Sequence, residues 1–503
     1  MTMAAPVEEL WSRAQIHIAA KQAREARAAL EALLVADPAH VLAQLALCDL
    51  AWREGRVREA TQCALDAAAS APPYPETICD VVAKLLQVGE AAAARELLQH
   101  AALTRGDSDL LLLRLADDWH RLGEEERALD ALNRAKELGF DGGQVRFHRG
   151  QQLLHMGREQ EAEPDLELGL LLTPNHGRAA LALAHLRKQT RERNHLNRLV
   201  GGLKKVAQGS RDYAALEFAL YKELEDVERY DDAWPALLRG NAAMAARKRH
   251  DVSRQRQHME QSLACYTQEF LRPADELHAG PQPIFIIGLP RCGASVLERM
   301  LGKHSRVHAI GEPGEFARQV HWTADHPTTQ DEVFLSRLAD LDHAEVARRY
   351  LAQMQWRAHA VPLFTDWQPN HWMIAGLIGA AFPRAPILHV TRDAMDVCFS
   401  QFRAFFGDAH AWSYDLAATA ANHHDYRKLM AHWHALMPGR ILDVPFAGLI
   451  GNPEATLRNV LAFCNLQWEP ACGDAALDAE RKPFGAWQPY AAPLAGMRQA
   501  LGT

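Results

Sequence analysis

The stretch PIFIIGLPRCGASVLERML, from Pro283 to Leu301, decides the fold of the C-terminal half of the chain. Its β-branched apolar start predicts a buried strand up to Gly288, and VLERML predicts a helix. A strand that enters a helix through a short loop aims backbone N–H groups and the positive end of the helix dipole at an anion. The sequence therefore predicts a phosphate cradle over Gly288 to Ser295.

The two glycines of this loop have the spacing of a Walker A nucleotide-binding loop, GxxxxG followed by two residues. Gly288 and Gly293 let the chain turn and approach an anion closely. Ala294 stands where the Walker A motif has its phosphate-binding lysine, and this argues against an ordinary nucleoside triphosphatase. A glycine turn that only leads into a core helix is the structural alternative.

A period of 34 residues runs through the first half of the chain. The glycines at this interval are Gly55, Gly89, Gly123 and Gly157, and the alanines five positions after them are Ala60, Ala94, Ala128 and Ala162. Pro38, Pro72 and Pro174 keep the same register. This is the period of the tetratricopeptide repeat, whose paired helices bury their apolar faces by stacking on neighbouring units. We predict an all-helical solenoid with a binding or assembly surface for protein partners.

The end of this array is less regular. The segment ALEFALYKELEDVERYDDAWPALLRG has Glu228 in the glycine position and Ala233 five residues later, which predicts a degenerate terminal repeat. The basic stretch from Arg187 to Lys205 is either a nucleic-acid patch or a solvated helix face. Aromatic residues do not alternate with its charges, so we predict a helix face and no nucleic-acid partner. The predicted segments are an array over 1–245, a helical connector over 246–280 and an α/β domain over 281–503.

Length and composition support more than one packed domain. The chain has 503 residues, whereas single cores stop growing at roughly 250–300 residues. With 48% apolar and 23% charged residues, the composition excludes a disordered chain. The formal net charge of −8 provides no overall basic field for nucleic acid or an anionic membrane. Any anion site must therefore be local.

The cysteines and the apolar runs predict a compartment. Eight cysteines are scattered without a CxxC pair, which favours a reducing cytoplasm over an oxidising one. Glu8, Glu9 and Arg13 precede any long apolar run, and no later stretch reaches about 18 uncharged apolar residues. We predict a cytoplasmic protein without a signal peptide or a membrane span.

The loop and the repeat together resemble one known family. GLPRCGASVLERML is similar to the 5′-phosphosulfate loop of sulfotransferases, as in bacterial proteins that join tetratricopeptide repeats to a domain like that of tyrosylprotein sulfotransferases. The likeness covers residues 283 to 470. It implies a parallel sheet and the donor 3′-phosphoadenosine 5′-phosphosulfate, without a metal. The implied donor-binding residues of the loop are Gly288, Leu289, Pro290, Arg291, Cys292, Gly293, Ala294 and Ser295. Arg291 would face the sulfate bridge as an always-charged fork.

Two further segments extend the resemblance. APILHVTRDAMDVCFSQF is similar to the 3′-phosphate motif, in which Arg392 and Ser400 would both bind the ribose 3′-phosphate. A surface salt bridge from Arg392 to Asp393 is the alternative. HSRVHAIGEPGEF is similar to the family segment ending in GE, which makes Glu312 the general base that removes the acceptor proton. Glu315 is a nearby competitor, and a carboxylate at a helix start is the structural alternative.

The sequence also departs from the family pattern. TDWQPNHW has Trp367 where the family has a lysine assigned to the sulfate and the leaving oxygen. Cys292 and Ala294 replace hydroxyl residues of the loop. In the tail, Arg481 and Lys482 are candidates for basic donor contacts. Histidines crowd two places, His304 and His308, then His423, His424, His432 and His434, but without HExxH spacing or a cysteine pair, so we predict structural histidines.

Two functions remain open at this point. The first is transfer of a sulfuryl group from the nucleotide donor to a hydroxyl acceptor, which would be a protein tyrosine presented by the repeat array, a glycan, a lipid or a small phenol. The second is a catalytically impaired descendant that binds nucleotide or protein partners, and Trp367 is the residue that favours it.

Overall fold

The structure is a computed structural model that describes residues 7–71, 73–271, 279–359, 361–474 and 484–502. The chain divides into two compact units. The first comprises the described residues of Met1–Leu138, Pro273–Gly280 and Pro313–His359, and the second those of Gly139–Arg272, Pro281–Glu312 and Ala360–Thr503. The segment boundaries predicted from the sequence at 245 and 280 stay a prediction.

The N-terminal part is all-helical. Its helices are α1 Val7–Ala19, α2 Ala23–Ala36, α3 Val41–Arg53, α4 Val57–Ala69, α5 Pro75–Val88, α6 Ala91–Leu97, α7 Asp109–Arg121, α8 Glu125–Glu137, α9 Gly143–His155, α10 Glu159–Leu172, α11 Gly177–Leu186, α12 Leu196–Leu203, α13 Arg211–Asp226, α14 Tyr230–Arg247 and α15 Val252–Cys265.

The remainder alternates strands and helices. In chain order they are β1 Gln282–Ile287, α16 Ala294–Leu301, β2 Val307–Ala309, α17 Glu315–Thr323, α18 Glu332–Arg337, α19 His343–Met354, β3 Leu363–Trp367, α20 Ala375–Ala381, β4 Ile387–Thr391, α21 Ala394–Phe402, α22 Leu416–Leu436, β5 Ile441–Pro445, α23 Phe446–Gly451, α24 Pro453–Phe463, α25 Ala471–Asp474 and α26 Ala495–Leu501.

The predicted helical repeat is confirmed. The four periodic glycines separate the two helices of successive pairs and have φ values between 72° and 87°. The four alanines that follow them are fully buried. Glu228 adopts the same left-handed conformation with φ 63°, and Ala233 is fully buried, so the degenerate unit is also confirmed. Lys21, with φ 56°, lies 34 residues before Gly55 and marks an earlier pair that the glycine pattern missed. Pro72 lies outside the described residues.

Within the first unit, helices α17 and α19 pack on the turns of the repeat. The Arg58 guanidinium donates to the Trp322 carbonyl at 3.2 Å, and Gln319 Nε2 donates to the Gly89 carbonyl at 2.7 Å. Glu90 pairs with Arg349, whose guanidinium lies 3.7 Å from the Trp322 ring centroid. Helices α17 and α19 therefore cover some of the inter-helix turns of the repeat within this unit.

The second unit contains a five-stranded sheet in the order β2-β3-β1-β4-β5. Every pair is parallel, with Ile286 opposite Trp367 and Ile287 beside His389. The apolar strand residues and the inner face of α16 pack with α23 and α24 in one buried cluster. Because the strands are parallel, their carboxyl ends lie on one edge of the sheet, where α/β proteins bind ligands. This confirms the predicted α/β domain.

The basic stretch carries ion pairs. Arg193 and Arg198 contact Glu163 and Glu167 of α10 at 2.8 and 2.7 Å. Such pairing is what a solvated helix face would show. No helix among the described residues has both the length and the apolar character needed to span a membrane.

Candidate active site

The loop between β1 and α16 has a backbone that excludes most side chains. Gly288 has φ 154°, and a Cβ atom there would lie 2.8 Å from the Val390 carbonyl oxygen. Gly293 has φ 105°, and a Cβ atom there would overlap the Phe446 ring. Arg291 is left-handed at φ 68°, a strained conformation for a residue with a side chain. Such strain clusters at binding sites, and the loop leads directly into the first turn of α16, whose N–H groups suit an anion.

The other loop residues differ in exposure. Leu289, Pro290, Cys292 and Ala294 are buried, whereas Arg291 and Ser295 are exposed. The buried residues fix the loop against the core, and the exposed ones have side chains available to a ligand. Cys292 and Ala294, at positions where the resemblance implies hydroxyl residues, are both buried.

The loop, the end of β4 and helix α21 come together. Arg392 Nη1 donates to the Arg291 carbonyl at 2.7 Å, and Arg291 Nε donates to Ser400 Oγ at 3.3 Å. Gln401 Nε2 donates to the Pro290 carbonyl at 2.9 Å. Arg291 of the loop, Arg392 and the buried Ser400 hydroxyl thus lie together, and these groups are suited to binding phosphate. Asp393 instead caps α21, where it accepts from the Asp396 N–H at 3.0 Å.

Glu312 follows β2 at the same edge of the sheet. Its side chain is exposed, yet desolvation raises its pKa, and the nearby Glu298 raises that pKa further. A hydrogen bond from Trp367 acts in the opposite direction. An accessible carboxylate with a raised pKa suits a general base.

Glu315 has a different environment. Only 1% of the residue is exposed, and its carboxylate pairs with Arg357 at 3.1 Å and with Arg318 at 3.3 Å. A buried, ion-paired carboxylate is poorly placed to accept a proton from an external acceptor. Of the two carboxylates, Glu312 is therefore the accessible one.

Trp367 ends β3 and is 7% exposed. Its backbone N–H donates to the Gly311 carbonyl at 3.2 Å, and its side chain forms the hydrogen bond that lowers the pKa of Glu312. At the position where the resemblance implies a lysine, the chain has an apolar ring whose indole N–H donates a hydrogen bond to the candidate base.

Sequence reasoning missed two groups in this unit. Glu298 of α16 is buried beside Glu312. His185 of α11 is exposed, yet its pKa is lowered to about 3, first by desolvation and then by Lys222, Arg291 and Arg403. The acid in the apolar helix VLERML was a signal for Glu298, whereas His185 lies in a repeat with no local motif.

The described part of the tail returns to the loop. The Phe484 ring lies 5.8 Å from that of Phe446, which also stacks 4.8 Å from the Arg392 guanidinium. The Gly485 N–H donates to Asp396 Oδ1 at 2.7 Å. Arg481 and Lys482 lie outside the described residues, so their contacts stay a prediction.

Several of the histidines have hydrogen-bond partners. His432 Nε2 contacts the Tyr266 carbonyl at 2.8 Å, and His434 and His389 both contact Asp443, at 3.0 and 2.7 Å. Hydrogen bonding accounts for the approach of His389, His434 and Asp443, which together have the composition of a possible metal site. The absence of a metal stays a prediction.

Comparison with known proteins supports the α/β part. The model of the sulfotransferase family matches residues 283–470, which confirms the resemblance of this segment. An uncharacterized protein of Aquifex aeolicus (strain VF5) is 29% identical over 267 residues, which cover 51% of this chain and 35% of that relative. The chain thus matches little more than a third of the relative's length.

Solved structures similar to parts of the chain include the sulfotransferase domain of the Synechococcus PCC 7002 olefin synthase. It is 19% identical with a TM-score of 0.31, covering 46% of this chain and 97% of that domain. A sulfotransferase from Alicyclobacillus acidocaldarius is 17% identical with a TM-score of 0.26, covering 44% and 95%. The MamA protein is 16% identical with a TM-score of 0.29, covering 34% and 92%.

Proposed function

We propose that this chain transfers a sulfuryl group from 3′-phosphoadenosine 5′-phosphosulfate to a hydroxyl acceptor. The observation that carries the proposal is the meeting of the strained loop with Arg392 and Ser400, at the sheet edge where Glu312 also lies. The family match over residues 283–470 supports sulfuryl transfer as the type of reaction.

The residues fit the charge of such a donor. Backbone N–H groups from the loop and the first turn of α16 would bind the 5′-phosphosulfate, and Arg291 would neutralise charge on the transferring group. Arg392 and Ser400 would bind the 3′-phosphate. The contact of Arg291 with Ser400 supports a proposal in which the two phosphate subsites are adjacent.

The proposed step needs no covalent enzyme intermediate. The acceptor hydroxyl gives its proton to the Glu312 carboxylate while its oxygen forms a bond to sulfur. The bond between sulfur and the 5′-phosphate oxygen breaks, and 3′-phosphoadenosine 5′-phosphate leaves with that electron pair. Arg291 stabilises the charge on the group in transfer.

We also propose a tyrosine hydroxyl of a protein as the acceptor and the helical array as the surface that binds its protein. The array has the architecture of repeat proteins that bind partners along their length. All eight cysteines are unpaired thiols, which supports a reducing compartment such as the cytoplasm.

A nucleotide-binding scaffold without activity is the second candidate. Trp367 favours it, because an indole cannot supply the positive charge of a lysine to the leaving oxygen. Removal of one transition-state donor costs about 10²- to 10³-fold in rate, by analogy with oxyanion holes.

Two measurements separate the candidates. The first is thermal unfolding with 3′-phosphoadenosine 5′-phosphate, which should raise Tm for the wild type and for the exposed-site control Arg458→Ala, but not for Arg392→Ala. The second is transfer of ³⁵S-sulfate from the labelled donor to a panel of tyrosine peptides, oligosaccharides and phenols. Nucleotide binding without transfer to any acceptor would support the scaffold, and an equal Tm shift in Arg392→Ala would refute the 3′-phosphate assignment.

A further inference from the structure

Helix α16 carries an acid on its buried face. Glu298, the fifth residue of the helix, is 7% exposed among neighbours that belong to the apolar core of the second unit. Acidic side chains are almost never buried to this degree unless they are paired. The partners of Glu298 therefore indicate why an acid occupies this position.

Those partners are on the chain segment of the candidate base. Glu298 Oε1 accepts the Gly311 N–H at 2.8 Å and the Thr365 hydroxyl at 2.6 Å. Thr365 Oγ1 in turn accepts the Ile310 N–H at 3.3 Å. Two successive backbone N–H groups directly before Glu312 are thus bound to one network that starts on α16.

The position of Glu298 along α16 adds a second connection. The helix begins at Ala294, inside the phosphate loop, and Glu298 lies about one turn further on. The helix that presents its N-terminus to the donor therefore also holds the segment that carries the base. A shift of either end along the helix axis would change the distance between donor and base.

We propose that Glu298 is a positioning residue for sulfuryl transfer, because its carboxylate holds Gly311 and Thr365 and thereby aligns Glu312 with the donor loop. This inference rests on the proposed function. Misplacement of a reacting group by about 1 Å can cost about 10²-fold in rate. The role of Glu298 therefore predicts a loss in kcat rather than in donor affinity.

The negative charge of Glu298 has its own effect. Among the described residues, Arg299 is the charged group that acts on Glu298, whereas Glu298 and the Trp367 side chain, which donates a hydrogen bond, act on Glu312. Burial raises the pKa of Glu298, while Thr365, Gly311 and Arg299 favour its ionised form. An ionised Glu298 makes Glu312 a stronger base, since the two carboxylates repel each other.

Conservative variants separate the charge from the hydrogen bonds. Glu298→Gln keeps an acceptor oxygen but loses the charge, so the acid limb of kcat/KM should move to lower pH. Thr365→Val keeps the Glu298 side chain and the shape of the site but loses the hydroxyl, so kcat should fall about 10-fold or more. The KM for the donor should stay at its wild-type value in both. Glu454→Gln, an exposed carboxylate paired with Arg458, is the matched control.

Hydrogen exchange tests the contact without reference to activity. In Glu298→Ala, the peptide that contains Ile310 to Glu312 should exchange faster than in wild type or Glu454→Gln. Unchanged exchange would overturn the contact. A Thr365→Val enzyme with wild-type kcat would overturn the positioning role even if exchange is faster, and a Glu298→Gln enzyme with a wild-type acid limb would overturn the effect of the charge. Absence of sulfuryl transfer by the wild type would overturn the proposed function, and with it any catalytic role for Glu298.

Discussion

Replacement of Gly293 by alanine tests the loop as a donor site. The residue has φ 105°, beyond the narrow left-handed region that other residues reach, and a Cβ atom would lie 2.6 Å from Cε2 of Phe446. A left-handed backbone costs a residue with a side chain about 1–2 kcal/mol, and overpacking against a buried ring costs about 1–3 kcal/mol. The native loop conformation should therefore lose about 2–5 kcal/mol in Gly293→Ala.

This cost should appear in nucleotide affinity. A loop that relaxes away from its native geometry must return to it when the nucleotide binds. At about 1.4 kcal/mol for each factor of ten, even the lower cost weakens binding by about 30-fold. Isothermal titration with 3′-phosphoadenosine 5′-phosphate measures this change in affinity. Thermal unfolding without nucleotide measures how far the substitution lowers the stability of the folded protein.

Gly451→Ala is the matched control, because its added Cβ would meet no atom within 4 Å and its φ is not positive. It ends helix α23, so alanine there should be neutral or stabilise by about 0.5–1 kcal/mol. The double variant Gly293→Ala, Phe446→Ala, compared with Phe446→Ala alone, separates the steric part from the backbone part, since it removes the ring atoms that the added Cβ would overlap and leaves φ unchanged. If Gly293→Ala binds nucleotide within about threefold of wild type, the loop is not the phosphate site.

Four further predictions concern the base and the repeat. Glu312→Gln should lower kcat about 10²- to 10⁴-fold while nucleotide affinity stays unchanged, and a variant with full activity would remove this residue as the base. In the wild type, a base acts only when deprotonated, so activity should fall as pH drops through a pKa raised above the ordinary value of about 4.3; an acid limb at or below that value would contradict the role. Trp367→Phe should move this limb to higher pH, because it deletes the hydrogen bond that lowers the pKa of Glu312; a fixed limb would show that the indole does not serve the base. Glu228→Gly should raise the free energy of unfolding by about 1 kcal/mol, and Gly157→Ala should lower it by a similar amount in denaturant titrations, because both residues are left-handed; equal stability would contradict the turn assignment.

Regular patterns predicted the fold well. The 34-residue period located the inter-helix turns, and the strand–loop–helix stretch located β1 and α16, because each depends on residues close together in sequence. The glycine pattern does not include Lys21, since a lysine in a left-handed turn breaks the pattern without breaking the structure. The period fixes which backbone positions are strained, but neighbouring helices can hold an unfavourable residue there.

Tertiary contacts limited the prediction of the site. Arg291, Arg392 and Ser400 were found because each follows a strand within a local motif, and the structure brings them together. Glu298 contacts Thr365, which lies 67 positions away in the sequence. Desolvation lowers the pKa of His185, which belongs to helix α11, and the charge of Arg291 lowers it further. Such partners have no fixed spacing in sequence, so only the folded chain identifies them.

Trp367 has two interpretations, one from the family pattern and one from its neighbours in the structure. In the family pattern this position has a lysine, so the tryptophan means that a positive charge is missing. In the structure it ends β3 on the edge that carries Glu312, and its side chain donates a hydrogen bond that stabilises the ionised carboxylate. Glu298 destabilises that same ionised form, so the pKa of the candidate base reflects two opposed neighbours on separate elements. A lysine at this position would lower that pKa further and weaken the base, which links the missing cation to the tuning of Glu312 as well as to the leaving group.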